Sequence, residues 1–370
     1  MTPSGRFASG PRVLEIQRAY RFPPDIGVGI FAHRGDVLSY FDAEYGRCAD
    51  DRLPQFRLEV YVGNCRQAVA SLASQISHWL VYERRHKLTK WRMALSGLDE
   101  ERTRLAFEGK GAMLLPYLQN FYVEPLLRIK LLQAGYALVH GSALMKGAKS
   151  VLLPGGSRVG KTMLTLRQAI QGKAIQGDNC VILSPRGDTF AFPRRLRIYS
   201  DLRRADPIAY GRLSRRERIR LTIAGSIRSL SFGYANPASR LDIGVFAPNC
   251  TICARARLDS VFVLTPHEGP DLVGPICLGL EQLVERVQTH SFSEGRWLTE
   301  AISPCLTAGL ESWLLRKMDI ERQILATAFE GVPAFELLVP RVTDPGPLLS
   351  RLARISGIDA EPSGEPGRCQ

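Results

Sequence analysis

One short segment constrains this chain more than any other part of it. Residues 155–162 read Gly-Gly-Ser-Arg-Val-Gly-Lys-Thr, a full match to the pattern G-x-x-x-x-G-K-[ST]. The apolar residues Val151–Leu153 before it favour a strand, and Met163, Leu166 and Ile170 after it have helical spacing. A buried strand that passes through glycines into a helix N-terminus predicts a site for phosphate groups.

Each fixed position of this segment suits a triphosphate for a separate reason. Glycines at 155 and 160 allow positive φ and a close approach of the backbone, and successive amides form a nest for phosphate. Lys161 supplies a point charge for the β- and γ-oxygens, and the hydroxyl of Thr162 suits Mg²⁺. We therefore expect a nucleoside triphosphate and Mg²⁺ as the cofactors; the segment holds phosphates and does not distinguish ATP from GTP. The expected nucleotide-binding residues are Gly155, Gly156, Ser157, Arg158, Val159, Gly160, Lys161 and Thr162.

Two further stretches belong with this segment. Upstream, Tyr136–Met145 is typical of a strand and includes His140 and Ser142. Downstream, Gly177-Asp178-Asn179 places a carboxylate at the start of a short apolar run, 17 positions after Lys161. Asp178 is a candidate base or Mg²⁺ ligand, although Gly-Asp-Asn is also ordinary turn chemistry.

Together, His140-Gly-Ser-Ala, the glycine-rich segment and Gly177-Asp178-Asn179 resemble the HPr kinase/phosphorylase family. That family forms one branch of P-loop proteins with the ATP-dependent phosphoenolpyruvate carboxykinases. The resemblance implies an α/β fold and transfer of a phosphoryl group from ATP to a serine hydroxyl. Lys161 and Thr162 would bind phosphate and Mg²⁺, Asp178 would be the catalytic base and a metal ligand, and His140 would hydrogen-bond Asp178.

The chain also departs from the family pattern. Asn179 stands where the family usually has a second aspartate, Arg158 replaces a frequent glycine, and the long glycine-containing signature segment is missing. These departures predict a diverged relative. His140 also has a simpler interpretation as a buried strand histidine, and Ser142 as a small strand residue.

The charge of the chain is uneven. The formal net charge is +13, and residues 194–220 hold ten arginines against Asp201, Asp206 and Glu217, a net +7. This stretch could dock an acidic protein or anionic acceptor, or be a solvated helical face; nucleic acid is less favoured because only Tyr199 and Tyr210 could stack on bases.

Eight cysteines are scattered through the sequence, and Cys250–Cys253 is the one close pair. A zinc site needs about four ligands, so free thiols in a reducing compartment are the simpler interpretation. The sequence shows neither a signal-peptide core at its start nor an apolar run long enough to span a membrane. We expect a cytoplasmic protein without a membrane partner; an oligomer is compatible with the sequence.

The predicted fold is α/β, with a P-loop nucleotide-binding core of mixed sheet and a smaller N-terminal α/β module. The predicted domains are residues 1–112, of unknown role, residues 113–341, the HPr-kinase-like core, and residues 342–370, a flexible tail. Pro125 is expected to break or kink a helix over 115–133.

The leading functional hypothesis is an ATP- and Mg²⁺-dependent kinase-like protein. It would transfer the γ-phosphoryl group to a hydroxyl of a protein, a peptide or a small molecule. Two alternatives stay open: a nucleotide-binding ATPase or regulator without transfer, and a nucleic-acid-associated P-loop protein.

Overall fold

The computed structural model describes residues 16–52, 55–72, 78–86, 89–111, 113–156, 159–232, 234, 236–292, 296–303, 309–341 and 345–358. The fold is α/β with mixed sheets. The chain divides into two compact units. The first comprises the chain up to Ala134 together with Glu294–Leu315, and the second comprises Gly135–Ser293 together with the chain from Arg316.

The elements are numbered in chain order. The strands are β1 Ile16–Phe22, β2 Ile26–Ala32, β3 Leu58–Val62, β4 Leu80–His86, β5 Thr89–Ser96, β6 Thr103–Lys110, β7 Ala137–Lys146, β8 Lys149–Pro154, β9 Ile175–Gly177, β10 Cys180–Leu183, β11 Asp188–Ala191, β12 Leu196–Ile198, β13 Ser239–Leu241, β14 Arg255–His267, β15 Val273–Cys277 and β16 Ala334–Pro340. The helices are α1 Gly35–Tyr45, α2 Cys65–Leu72, α3 Leu114–Leu118, α4 Glu124–Gln133, α5 Lys161–Ile170, α6 Leu202–Ala205, α7 Pro207–Arg212, α8 Arg215–Leu230, α9 Ile243–Phe246, α10 Leu280–Phe292, α11 Arg296–Ile302, α12 Leu310–Phe329 and α13 Pro345–Ile355.

The first unit is built on a six-stranded sheet in the order β1-β2-β3-β6-β5-β4. The central pairs β2–β3 and β3–β6 are parallel, and the outer pairs are antiparallel. Helix α2 packs on the sheet through Cys65, Ala68 and Leu72, which lie in one buried cluster with Tyr61 and Ala106. Since these side chains fall at helical spacing, one face of α2 is apolar and is buried.

The helical segment before the second unit belongs to the first, so the boundary lies at 134/135 and not at the expected 112/113. The indole N–H of Trp91 donates to the hydroxyl of Tyr122 at 2.9 Å, and the hydroxyl of Tyr40 donates to Gln119 at 2.6 Å. These buried contacts tie the segment to β5 and α1. Sequence patterning could not show which unit these side chains contact.

The sequence predicts a break or a kink at Pro125, and the structure shows helix that continues through this position. A π-helical turn at Gln119–Val123 joins α3 to α4, and Pro125 lies in the first turn of α4. A proline inside an α-helix lacks an N–H and clashes with the carbonyl four residues earlier. The wider π turn relieves that clash, so the chain continues as helix.

The second unit contains an eight-stranded mixed sheet, in which β11-β10-β7-β8-β14-β16-β15 follow one another and β9 pairs with β7. Strands β8, β14 and β16 are parallel, and β7 runs antiparallel to both β8 and β10. Strand β11 also pairs with the start of β14, which closes one end of the sheet on itself. The strand expected at Tyr136–Met145 matches β7 from Ala137 onward, and the one expected at Val151–Leu153 lies within β8.

The expectation of a flexible tail over 342–370 is wrong for the described part of it. Residues 345–355 form α13, and Leu349, Leu352, Ala353 and Ile358 are buried in one core cluster with α5. Leu349 and Leu352 stand three positions apart on one helical face. Residues 342–344 and 359–370 lie outside the described residues.

None of the helices in the described ranges is both long and apolar enough to cross a membrane.

Candidate phosphate-binding site

The glycine-rich segment lies between the end of β8 and the start of α5. A Cβ on Gly155 would lie 2.6 Å from the carbonyl oxygen of Leu264 on β14, so only glycine fits there. Gly160 precedes α5 with φ of +87°, a left-handed conformation that glycine adopts without strain. A Cβ on Gly156 would meet open space. Ser157 and Arg158, two of the expected nucleotide-binding residues, lie outside the described residues.

Lys161 is buried at the first position of α5. Its Nζ donates hydrogen bonds to the carbonyl oxygens of Gly155 and Gly156, each at 2.6 Å. The ammonium group therefore lies against the segment that the sequence predicts to hold phosphate. The first turn of α5, whose amides have no partner within the helix and whose dipole end is positive, begins at the same place.

Asp178 lies between the end of β9 and the start of β10. The neighbouring Asn179 has φ of +76°, and asparagine is one of the few side chains that adopt this conformation readily. The buried carboxylate accepts a hydrogen bond from the hydroxyl of Ser142 at 2.6 Å and another from the hydroxyl of Thr162 at 2.7 Å. The fold thus brings together Asp178 and Thr162, the two residues expected to hold the metal.

His140 does not occupy the place that the resemblance implies. It pairs with Cys180 in the β7–β10 ladder, and its backbone N–H donates to Ser291 at 3.1 Å. Among the described residues, the donors to the Asp178 carboxylate are Ser142 and Thr162, so the expected His140–Asp178 hydrogen bond is wrong here. The reason is register: Asp178 lies two positions before Cys180, which places it opposite Ser142.

His290 is a residue of this region that sequence patterns missed. It is half-buried near the C-terminus of α10, which packs against β7. Burial lowers the pKa of His290, and the nearby charges of Lys161, His140 and Arg286 lower it further. The imidazole of His290 therefore has a pKa below its ordinary value, and the charge of Lys161 is one cause of this. No motif surrounds it in the sequence, and only the packing of α10 brings it here.

A second buried carboxylate lies on β16, the strand next to β14. Glu336 accepts a hydrogen bond from the hydroxyl of Thr265 at 2.7 Å, and Arg286 approaches it at 3.6 Å. Leu264, the neighbour of Thr265, forms a bridge with Gly155. The charge of Glu336 also acts on His290. The sequence gives no sign that Glu336 approaches this region.

The residues present fit a magnesium ion together with phosphate. Hydroxyl and carboxylate oxygens are ligands that Mg²⁺ prefers, and Thr162 and Asp178 provide one of each. Within the described ranges, no three His, Cys, Asp or Glu side chains are grouped to hold a metal ion. A metal at this place would therefore take its other ligands from phosphate oxygens and water, as Mg²⁺ commonly does.

The cysteines behave as ordinary thiols in the described parts of the chain. The thiol of Cys250 donates to the carbonyl of Lys173 at 3.2 Å, and that of Cys253 donates to the carbonyl of Arg255 at 3.1 Å. Burial raises the pKa of the Cys65 thiol to about 11, so this thiol stays protonated at neutral pH.

The basic stretch 194–220 contributes to several small elements next to α5. Asp206 is fully buried, accepts the N–H of Ala209 at 3.0 Å and receives Arg167 of α5 at 2.5 Å. Asp206 therefore has a structural role, and its charge does not offset the exposed arginines of this stretch. Seven of the ten arginines are exposed: Arg203, Arg204, Arg212, Arg215, Arg216, Arg218 and Arg220.

No protein-family model matches the chain, and a search of curated proteins finds no match. The resemblance to the HPr kinase/phosphorylase family therefore stays a prediction that rests on the residues quoted for it.

Proposed function

We propose that this protein binds a nucleoside triphosphate with Mg²⁺ at residues 155–162 and transfers the γ-phosphoryl group to a hydroxyl acceptor. One observation carries the proposal. The buried Asp178 carboxylate bridges the hydroxyls of Ser142 and Thr162, at the N-terminus of the helix that begins with Lys161. An acid, a hydroxyl and an ammonium group at a helix N-terminus are the parts that phosphoryl transfer needs.

Each residue has a distinct part in this reaction. The amides at the start of α5 and the ammonium of Lys161 bind and neutralise phosphate oxygens. Thr162 and Asp178 would hold Mg²⁺, which neutralises further phosphate charge when it is bound. Asp178 accepts the proton of the acceptor hydroxyl as that oxygen bonds to phosphorus and the bond from phosphorus to the β–γ bridging oxygen breaks.

Ser142 is a positioning residue in this account. Its hydroxyl donates to Oδ1 of Asp178 while Thr162 donates to Oδ2, so the two bonds fix the plane of the carboxylate. A base must be held within hydrogen-bond reach of the proton that it accepts, and a fixed carboxylate meets this need better than a mobile one. The acceptor would dock near the basic stretch 194–220, and the use of ATP favours the cytoplasm.

A second candidate is nucleotide binding or hydrolysis without transfer. Asn179 favours it, because the family pattern has a second acid there and the amide brings one negative charge fewer to the metal. The positive φ of Asn179 shows that the side chain also suits the local backbone, so asparagine has a structural reason as well.

Incubation with γ-labelled ATP, Mg²⁺ and an extract of the source cells separates the two candidates. Label on an acceptor supports transfer, whereas free phosphate alone supports hydrolysis. We expect Asp178→Asn to remove transfer by on the order of 10²–10⁴-fold and to leave ATP binding largely intact, because the amide cannot accept the proton.

The matched control for Asp178→Asn is Glu59→Gln, which neutralises a buried carboxylate in the other unit. Transfer by this variant should equal that of the wild type under conditions where both are folded. If Asp178→Asn instead loses ATP binding, Asp178 is mainly a metal ligand. If it transfers label at the wild-type rate, the proposed base is wrong.

A further inference from the structure

Helix α8 leaves an apolar face exposed to solvent. Its buried residues are Leu221 and Ala224, which lie on one side. The opposite side carries aliphatic residues at the spacing i, i+4, i+8 and i+11, and an aromatic pair follows the helix. We call these side chains the α8 apolar face. The aliphatic members are Ile219, Ile223, Ile227 and Leu230, whose relative exposures are 43–82%. The aromatic members are Phe232, which is fully exposed, and Tyr234, which is exposed by 67%.

The N-terminal end of α8 carries a cluster of arginines, which we call the α8 basic end: Arg215, Arg216, Arg218 and Arg220. Glu217 offsets one of these four charges, and its carboxylate is fixed at the start of the helix by the backbone N–H of Ser214 at 2.9 Å in a capping box, so a net charge of +3 stays at this end. Cations at a helix N-terminus are unfavourable, since the dipole is positive there. The arginines at this position therefore do not stabilise the helix, and binding of a partner is the better explanation for them.

The exposed isoleucines point the same way. Isoleucine is β-branched and forms helix less readily than most straight-chain residues. An exposed isoleucine therefore does not stabilise the helix that carries it. A row of such residues next to arginines, with no cover in the described structure, is typical of a surface that another molecule covers.

The separation of charge and apolar surface along α8 restricts the occupant. A second copy in antiparallel contact would bury the α8 basic end against aliphatic side chains, and a parallel contact would bring arginine against arginine. A helix lying in a membrane surface carries its free cations along its length. Four of the five arginines of α8 gather at its N-terminal end, and the fifth, Arg228, pairs with Asp201 at 3.8 Å. A segment with carboxylates at one end and aliphatic side chains at the other complements both parts.

We propose that α8 docks a partner protein through an acidic amphipathic helix. Carboxylates of the partner meet Arg216 and Arg220, whose guanidinium groups can bind them in bidentate fashion. Aliphatic side chains of the partner cover Ile223, Ile227 and Leu230, as in other helix-in-groove contacts. This docking goes beyond the proposed phosphoryl transfer and does not depend on it.

The test uses the full chain and a fluorescein-labelled synthetic helical peptide of about 18 residues. The peptide carries leucines at the α8 spacing and glutamates over its first two turns, so that its carboxylates meet the α8 basic end when the peptide lies parallel to α8. One comparison peptide has its leucines shuffled around the helix, and another has lysine in place of glutamate. Fluorescence anisotropy should show saturable binding of the first peptide, on the order of tenfold tighter than of either comparison peptide.

Variants on the protein sharpen the test. Ile223→Gln with Ile227→Gln should weaken the peptide on the order of tenfold, and Arg216→Gln with Arg220→Gln should weaken it and reduce its salt dependence. The matched control is Ile208→Gln, which removes an equally exposed isoleucine from α7 and should bind as the wild type does. Circular dichroism confirms that each variant is folded.

Four results would overturn the proposal. The first is that the protein does not bind the matched peptide, and the second is that it binds the shuffled peptide equally well. The third is that it binds phosphatidylserine vesicles and that Ile223→Gln/Ile227→Gln abolishes this binding. The fourth is that sedimentation shows a wild-type dimer and that the same variant is a monomer. The third result would assign the face to a membrane surface and the fourth to a second copy of the chain.

Discussion

Each of the two units buries a carboxylate beside its sheet, and the two carboxylates differ in what surrounds them. Glu59 on β3 is held by Arg104 at 2.9 Å, by the hydroxyl of Tyr61 at 3.0 Å and by Arg102 at 3.6 Å. Asp178 accepts two hydroxyl hydrogen bonds, and within the described residues it forms no ion pair. The charge of Glu59 is neutralised by arginines of its own unit, whereas in the described parts of the chain no cation pairs with Asp178.

The difference shows that a buried acid does not by itself define a site. Glu59 lies in the middle of a continuous strand, where side chains of the same sheet can satisfy it. Asp178 lies at an interruption between two strands, next to glycines and to a helix N-terminus. Charged groups that are not neutralised locally, at a place where backbone amides are exposed, are typical of ligand sites.

The largest expected effect comes from Lys161→Ala. Removal of the ammonium should lower phosphoryl transfer or hydrolysis of labelled ATP by at least about 10²-fold, because this charge binds the phosphate oxygens that react. The control is Lys149→Ala, an exposed lysine on the strand that leads into the segment, and it should keep wild-type activity. Equal activity of the two variants would remove the functional contrast between the units.

Gly155→Ala and Gly156→Ala form a second matched pair. A Cβ at 155 would lie 2.6 Å from a backbone oxygen, whereas a Cβ at 156 meets nothing. Gly155→Ala should therefore lower the free energy of unfolding by about 1–3 kcal/mol, and Gly156→Ala by less than about 0.5 kcal/mol. Urea unfolding measures both, and equal costs would contradict the close contact between Gly155 and β14.

Glu59→Gln tests the other side of the comparison. The variant should lose about 1–3 kcal/mol of stability, because Arg104 loses its charged partner in a buried place. Nucleotide binding should stay unchanged, as the residue has a structural part only. A loss of nucleotide affinity by the folded variant would show that the two carboxylates are not separate in function.

The smallest effect concerns pH. The pKa of His290 is lowered in the folded protein, so the unfolded chain binds more protons as the pH falls below the ordinary histidine value. This contribution to stability is complete above that value and is lost as the pH falls towards the lowered pKa. His290→Gln should therefore reduce the drop in Tm between about pH 7.5 and 5.5. His33→Gln, at an exposed position, should leave the drop as it is, and equal drops in all three proteins would contradict the packing of His290.

Sequence patterns predicted the local part of the site and missed its long-range part. The order of strand, glycine-rich segment and helix is local chemistry, and β8 and α5 form where the pattern indicates. Asp178 was a candidate because of its place before an apolar run. Ser142 was noted on its strand, with a small strand residue as the simpler interpretation, and its hydrogen bond to Asp178 follows from strand register. His290 and Glu336 were not candidates, since only the packing of α10 and strand register bring them near.

The wrong predictions have the same physical origin. The histidine expected to bind Asp178 lies two positions along β7 from Ser142, the residue opposite Asp178, and sequence spacing cannot give this register. A break was predicted at Pro125 because the π turn that precedes it in the structure has no sequence pattern of its own. Glycines and prolines near the C-terminus favoured a flexible tail, and the burial of Leu349 and Leu352 against α5 outweighs them.

The central claim is that residues 155–162 bind a nucleoside triphosphate, and calorimetry tests it most directly. Titration of ATP with Mg²⁺ into the folded full chain should show saturable binding of one nucleotide per chain, which Lys161→Ala removes and Lys149→Ala does not. Absence of binding by the folded wild type at millimolar ATP and GTP would contradict the account.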